Sequence, residues 1–154
     1  MKLMHEFLSN GAVICPMEET GKWPAIEASL KALPKVAEEE IKFEDALDSI
    51  KERERQEAAT LLENDVAIPH GILPDPTPVM CTLAVSPQGI TYGNNREKAK
   101  IMFTILGSQG RRREYLGLLA QIARLFRGRE LKESILAASS PEEVIRIIRE
   151  TEEQ

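Results

Sequence analysis

The stretch Asp65-Val66-Ala67-Ile68-Pro69-His70-Gly71 decides how the rest of the chain is read. Val66 to Ile68 is a short apolar run suited to a strand, and it halts at a proline with no N–H to give a neighbouring strand. Gly71 follows and permits backbone turns closed to other residues. His70 is therefore expected at a strand end, where a side chain can be held rigid yet reachable. On spacing alone, a structural histidine fits this position as well as a functional one.

Working outward, Val79 to Val85 reads as a strand, Gly89 to Tyr92 as a shorter one, and Lys100 to Leu106 as an apolar strand for the middle of a sheet. Upstream, Ile26, Leu30 and Leu33 recur at helical spacing until Pro34, and Phe43, Ala46, Leu47 and Ile50 line one face of a second helix. That helix carries the charge run Lys51 to Arg55 on its polar side. Gly107 to Gly110 reads as a loop, and Tyr115, Leu118, Leu119, Ile122 and Phe126 then trace a helix ended by Gly128. A short helix is expected from Glu130 to Ala138. Ser140, Pro141 and Glu143 supply an N-cap, a first-turn proline and a capping glutamate for a last one. Helices before and after the strands predict an α/β sandwich, one mixed sheet covered on both faces.

The chain has 154 residues, 42% hydrophobic and 29% charged, which suits one globular domain over residues 1–154. A net charge of −5 excludes the basic excess that nucleic-acid binding requires, the local exception being Arg111 to Arg113. No apolar run approaches the roughly 20 residues of a membrane span, so the expectation is a cytoplasmic protein without membrane insertion. Cys15 and Cys81 read as two buried thiols rather than a disulfide. With His5 and His70 the only histidines, and His5 read as a surface residue, a catalytic zinc lacks its ligands and no metal or cofactor is expected. The segment Gly107-Ser108-Gln109-Gly110 lacks the Lys-Ser/Thr ending of a nucleotide-binding loop.

The string from Asp65 to Gly71 resembles the active-site motif of the fructose, mannitol and nitrogen-regulatory type IIA domains of the phosphotransferase system. The likeness extends to Arg53-Glu54-Arg55, Thr60 and Asn64 upstream, and downstream to Gly89 through Gly93 and the closing helices Leu116 to Phe126 and Glu130 to Ile148. It implies a five-stranded mixed sheet flanked by helices, and His70 as acceptor of a phosphoryl group from the HPr phosphocarrier, with a downstream IIB domain or a regulated protein as further partner. By the same resemblance either Arg53 or Arg55 is the active-site arginine, and Thr60 and Asn64 are phosphate- or partner-binding. Three departures stand out: Tyr115 occupies the place of a second family histidine, Ala58 to Glu63 lack the usual glycines, and the family's active-site arginine aligns with either of two positions, Arg53 or Arg55.

A phosphohistidine site needs a neutral imidazole, a group fixing its other nitrogen, and donors for the phosphoryl oxygens. Arg111 to Arg113 open a helix whose N-terminus is already partly positive, an arrangement that costs stability unless an anion offsets it. With the family alignment that anion is the phosphoryl group or a partner's acidic patch, so Arg111 and Arg113 are expected to support transfer, and Tyr115 to donate one hydrogen bond without supplying a cation. Ile72 and Leu73 are the apolar residues expected to meet the partner. The alternative is a IIA-fold module that acts by contact without phosphoryl turnover, and a chain with no attached transporter domain leans to a regulatory role.

Overall fold

The computed structural model describes residues 2–8, 12–56, 60–93 and 97–154. Its strands are β1 (Val13–Ile14), β2 (Leu61–Leu62), β3 (Val66–Ala67), β4 (His70–Leu73), β5 (Met80–Thr91) and β6 (Lys98–Ser108). The helices are α1 (Met4–Phe7), α2 (Lys22–Ala32), α3 (Pro34–Ala37), α4 (Phe43–Gln56), α5 (Arg112–Leu125), α6 (Glu130–Leu136) and α7 (Pro141–Glu152). Among these, none is long and apolar enough to cross a membrane.

The sheet runs β1-β5-β6-β3-β2, with β4 also paired to β6. β3 and β4 lie parallel to the same strand, at Val66 opposite Ile101 and His70 opposite Ile105, so they are one line of chain interrupted at Ile68-Pro69. β5 and β6 form the antiparallel centre. The two strands expected from Val79 to Tyr92 are a single strand, because the break between them is a register shift from Val85 to Ile90. There Gly89 takes φ +91° and donates its N–H to Ser86 Oγ at 3.1 Å.

β6 shows why helices are needed on both faces. Ile101, Phe103 and Ile105 point to one side, where they meet Leu118, Ile122, Ile135, Val144 and Ile148 of α5 to α7. Met102 and Leu106 point to the other, against Ile26, Leu30, Leu47 and Ile50 of α2 and α4. The last helix is capped as its sequence predicts: Ser140 Oγ accepts from Glu143 N–H at 3.2 Å. Glu143 in turn accepts from the backbone and hydroxyl of Ser139, which holds its carboxyl below the usual range. Both cysteines are free; Cys81 is buried as expected, while Cys15 is only half-buried.

Gly71 serves a different purpose from the turn its sequence suggests. It lies inside β4 without a positive φ, and a methyl group there would run into Ser49 Oγ and sit 2.8 Å from Ser49 C and 2.9 Å from Ile50 N. The missing side chain lets the backbone of α4 press directly on the strand that begins with His70.

Candidate functional site

The turn that holds His70 is assembled from backbone groups. The Ile68 N–H donates to the Thr60 carbonyl at 2.7 Å, and the Pro69 carbonyl accepts from Ile105 N–H at 3.0 Å, so the chain is pinned on both sides just before the histidine. The Ile68 carbonyl lies 2.7 Å from His70 Nδ1. A carbonyl only accepts, so Nδ1 carries the proton and a neutral ring has its lone pair on Nε2. The geometry thus leaves Nε2 as the unprotonated nitrogen of a neutral ring.

The ring is rigid but largely enclosed, with His70 4% exposed. Tyr115 from the first turn of α5 packs beside it, ring centroids 5.7 Å apart and planes inclined by 56°. Gly107 of β6 makes room for that tyrosine, since a methyl group there would lie 2.7 Å from Tyr115 Cδ2. Tyr115 and Ile72 also form walls of a cavity of about 360 Å³ completed by Arg53, Ser108, Gln109 and Arg112. It sits at the C-terminal ends of the parallel strands β4 and β6, where α/β sheets place ligands. Arg53 comes from the last turn of α4, and Arg112 opens α5, whose first N–H groups add partial positive charge. His70 does not itself line this cavity; Tyr115, which packs on its ring, is the residue the two share. Two guanidiniums and a helix start there suit an anion with several oxygens.

The sequence left Arg53 and Arg55 as alternatives; only Arg53 reaches this cavity, while Arg55 is exposed and bonds Glu52 at 2.9 Å. Among the arginines of the 111–113 run, Arg112 lines it. Arg111 and Arg113 instead border a separate cavity of about 860 Å³ with Lys2 and Phe7, and Arg111 reaches Glu114 at 3.5 Å. Arg112 is legible in principle, because on a helix residue i shares a face with i+3, and the family resemblance sets Tyr115 toward the histidine.

The family of the phosphoenolpyruvate-dependent sugar phosphotransferase system, EIIA 2, matches residues 6–151. The chain belongs to that family. It is 30% identical over 152 residues to the mannitol-specific phosphotransferase enzyme IIA component of Staphylococcus aureus, covering 97% of this chain and 99% of the relative. The fold is similar to that of the nitrogen regulatory protein IIA-Ntr of Neisseria meningitidis, with a TM-score of 0.81 and 24% identity over 96% of this chain and 99% of that one. It is similar also to enzyme IIA-mannitol of Escherichia coli, solved in complex with phosphorylated enzyme IIB-mannitol, with a TM-score of 0.72 and 15% identity over 92% and 96% of the two chains.

Other residues that the EIIA resemblance singled out stand elsewhere in the molecule. Thr60 is buried, and its hydroxyl is engaged with Tyr92 and with Glu54 at 3.2 Å rather than lining the cavity. Asn64, at φ +63°, donates from Nδ2 to the carbonyls of Phe126 and Arg127 at 3.1 and 3.0 Å, closing the C-terminus of α5. Leu73 packs in the core beneath α4 and is 5% exposed, so it is not the surface residue expected; of the two only Ile72 lines the cavity walled by Tyr115, while both border a separate one beside Asp45 and Ser49 of α4. His5 is not a solitary surface residue either, since its Nδ1 lies 2.9 Å from Glu152. Ala58 and Ala59, in the stretch that lacks the family's glycines, lie outside the described residues.

Proposed function

We propose that this chain is a cytoplasmic phosphoryl relay in which His70 Nε2 accepts a phosphoryl group from an HPr-type carrier and passes it to a IIB-type domain. The observation that carries the reading is the Nδ1–H bond to the Ile68 carbonyl, in a ring packed on Tyr115, which also walls the cavity that holds Arg53 and Arg112. In the transfer the phosphorus–nitrogen bond to the carrier's histidine breaks as one to Nε2 forms. The ring gains positive charge, and its Nδ1–H donates more strongly to the Ile68 carbonyl, while the carrier's imidazole leaves neutral. Arg53 and Arg112 receive the phosphoryl oxygens as paired donors. Tyr115 supports the site as an aromatic wall and a neutral hydroxyl, in the place of a second histidine.

Incubation with phosphorylated HPr from the same cell, followed by intact mass, tests this. An acid-labile gain of one phosphoryl group, absent in His70→Ala, is expected. Phosphate mapped to His5, or none with a donor that loads other IIA domains, overturns the relay in favour of a module acting by contact. That second reading draws on one observation, the enclosure of His70 by Tyr115.

A further inference from the structure

A second polar cluster adjoins Arg53 along α4, and the chemistry proposed above makes no use of it. Glu54, next to Arg53 in the last turn of α4, has a side chain only 9% exposed. A carboxylate withdrawn from water is costly unless paired and hydrogen-bonded. Here Lys22 Nζ at the start of α2 forms the ion pair and lies over the Tyr92 ring at 4.6 Å. Thr60 Oγ1 donates to Glu54 Oε1 at 3.2 Å and also meets the Tyr92 hydroxyl. Burial holds the Tyr92 phenol well above its ordinary range, so it stays a donor and the chain runs from Tyr92 through Thr60 to Glu54.

The cluster touches the proposed site at two points. Glu54 ties down the helical turn that carries Arg53. The Thr60 carbonyl takes the Ile68 N–H, and the Ile68 carbonyl takes His70 Nδ1, each at 2.7 Å, so the residue that orients the imidazole is itself held by Thr60. Pro69 has no N–H with which to hold this turn, which leaves Thr60 and Ile105 as its backbone anchors. A loose Thr60 would free the Ile68 carbonyl and with it the ring.

We infer that Glu54, with Lys22, Thr60 and Tyr92, is a positioning group that sets the tautomer of His70 and the place of Arg53. Its part in transfer rests on the relay reading, whereas its part in the tautomer does not. Nitrogen-15 imidazole spectra of His70, recorded without any phosphoryl donor, test the second point. The parent is expected to show the Nδ1–H tautomer. Thr60→Val, which keeps the shape and loses the hydroxyl, and Glu54→Ala should both mix in the Nε2–H form, and Thr60→Ser should restore the parent pattern. Where the parent accepts phosphate, Thr60→Val and Glu54→Ala should slow loading by about ten- to a hundredfold, the range for a reacting group misplaced by up to about 1 Å. Far-UV circular dichroism at the assay temperature confirms that each variant is folded, and Lys22→Met gives an independent cut of the cluster. Unchanged His70 spectra in folded Thr60→Val, Glu54→Ala and Lys22→Met would overturn the inference. A parent that never accepts phosphate would overturn the relay alone.

Discussion

Replacing Gly71 by alanine tests how the motif around His70 is built. A methyl group there meets Ser49 Oγ first and then the backbone of α4, which no change of side-chain rotamer can clear: Ser49 C at 2.8 Å and Ile50 N at 2.9 Å. Restoring ordinary contact at 3.4 Å requires α4 and β4 to separate by about 0.6 Å. Overpacking of this kind costs about 1–3 kcal/mol, which in a chain of this length lowers Tm by roughly 2–12 °C. Arg53 lies one helical turn beyond Ser49 and moves with it, so the loss in phosphoryl transfer should exceed what stability explains, by about tenfold. Differential scanning calorimetry and loading of His70 below the unfolding transition measure the two effects separately. Gly117→Ala is the contrast, since nothing lies within 4 Å of its added methyl and a helical alanine gains about 0.5–1 kcal/mol over glycine. A Gly71→Ala protein with parental Tm and parental loading would show that the close approach of α4 neither constrains the fold nor places Arg53.

Arg112→Ala should slow loading of His70 by at least about tenfold, consistent with loss of a charge-assisted donor, and Arg111→Ala by much less; stopped-flow quench at two salt concentrations compares them, and equal effects would remove the distinction between the two cavities. Leu73→Asp should cost at least about 3 kcal/mol in urea denaturation because it buries a carboxylate under α4, whereas Ile72→Asp should leave stability within about 1 kcal/mol of that parent while reducing transfer. The stability contributed by burying Cys81 and Tyr92 protonated should be full below about pH 9 and fall as pH rises. The buried Cys81 thiol is held above its ordinary 9.0 and the Tyr92 phenol above its ordinary 10.0, so the unfolded chain loses those protons first. Denaturation midpoints at pH 8, 9.5 and 10.5 should decline more gently in Cys81→Ala, and a flat parental profile would contradict the burial of both groups.

The segment from Asp65 to Gly71 and the apolar run of β6, with the helical periodicities before and after them, establish an α/β fold with His70 at a strand end. An unbroken apolar strand needs cover on both faces, and a proline ends a ladder wherever it occurs. Capping chemistry is equally local, which is why Ser140 and Glu143 announce α7. The purpose of Gly71 was not legible, because the demand comes from Ser49 and Ile50, some twenty residues upstream and brought over the strand only by the packing of α4. Nor could the sequence separate Leu73 from Ile72, since adjacent apolar residues in a strand point to opposite faces and only the completed sheet says which face holds the cavity. The choice of Arg53 over Arg55 and of Arg112 over its neighbours rests on the same ground. A helix presents one residue in three or four to a given surface, and the phase is set when the helix docks, through contacts that include the Tyr115 ring against His70 and the Glu54 carboxylate against Lys22 and Thr60.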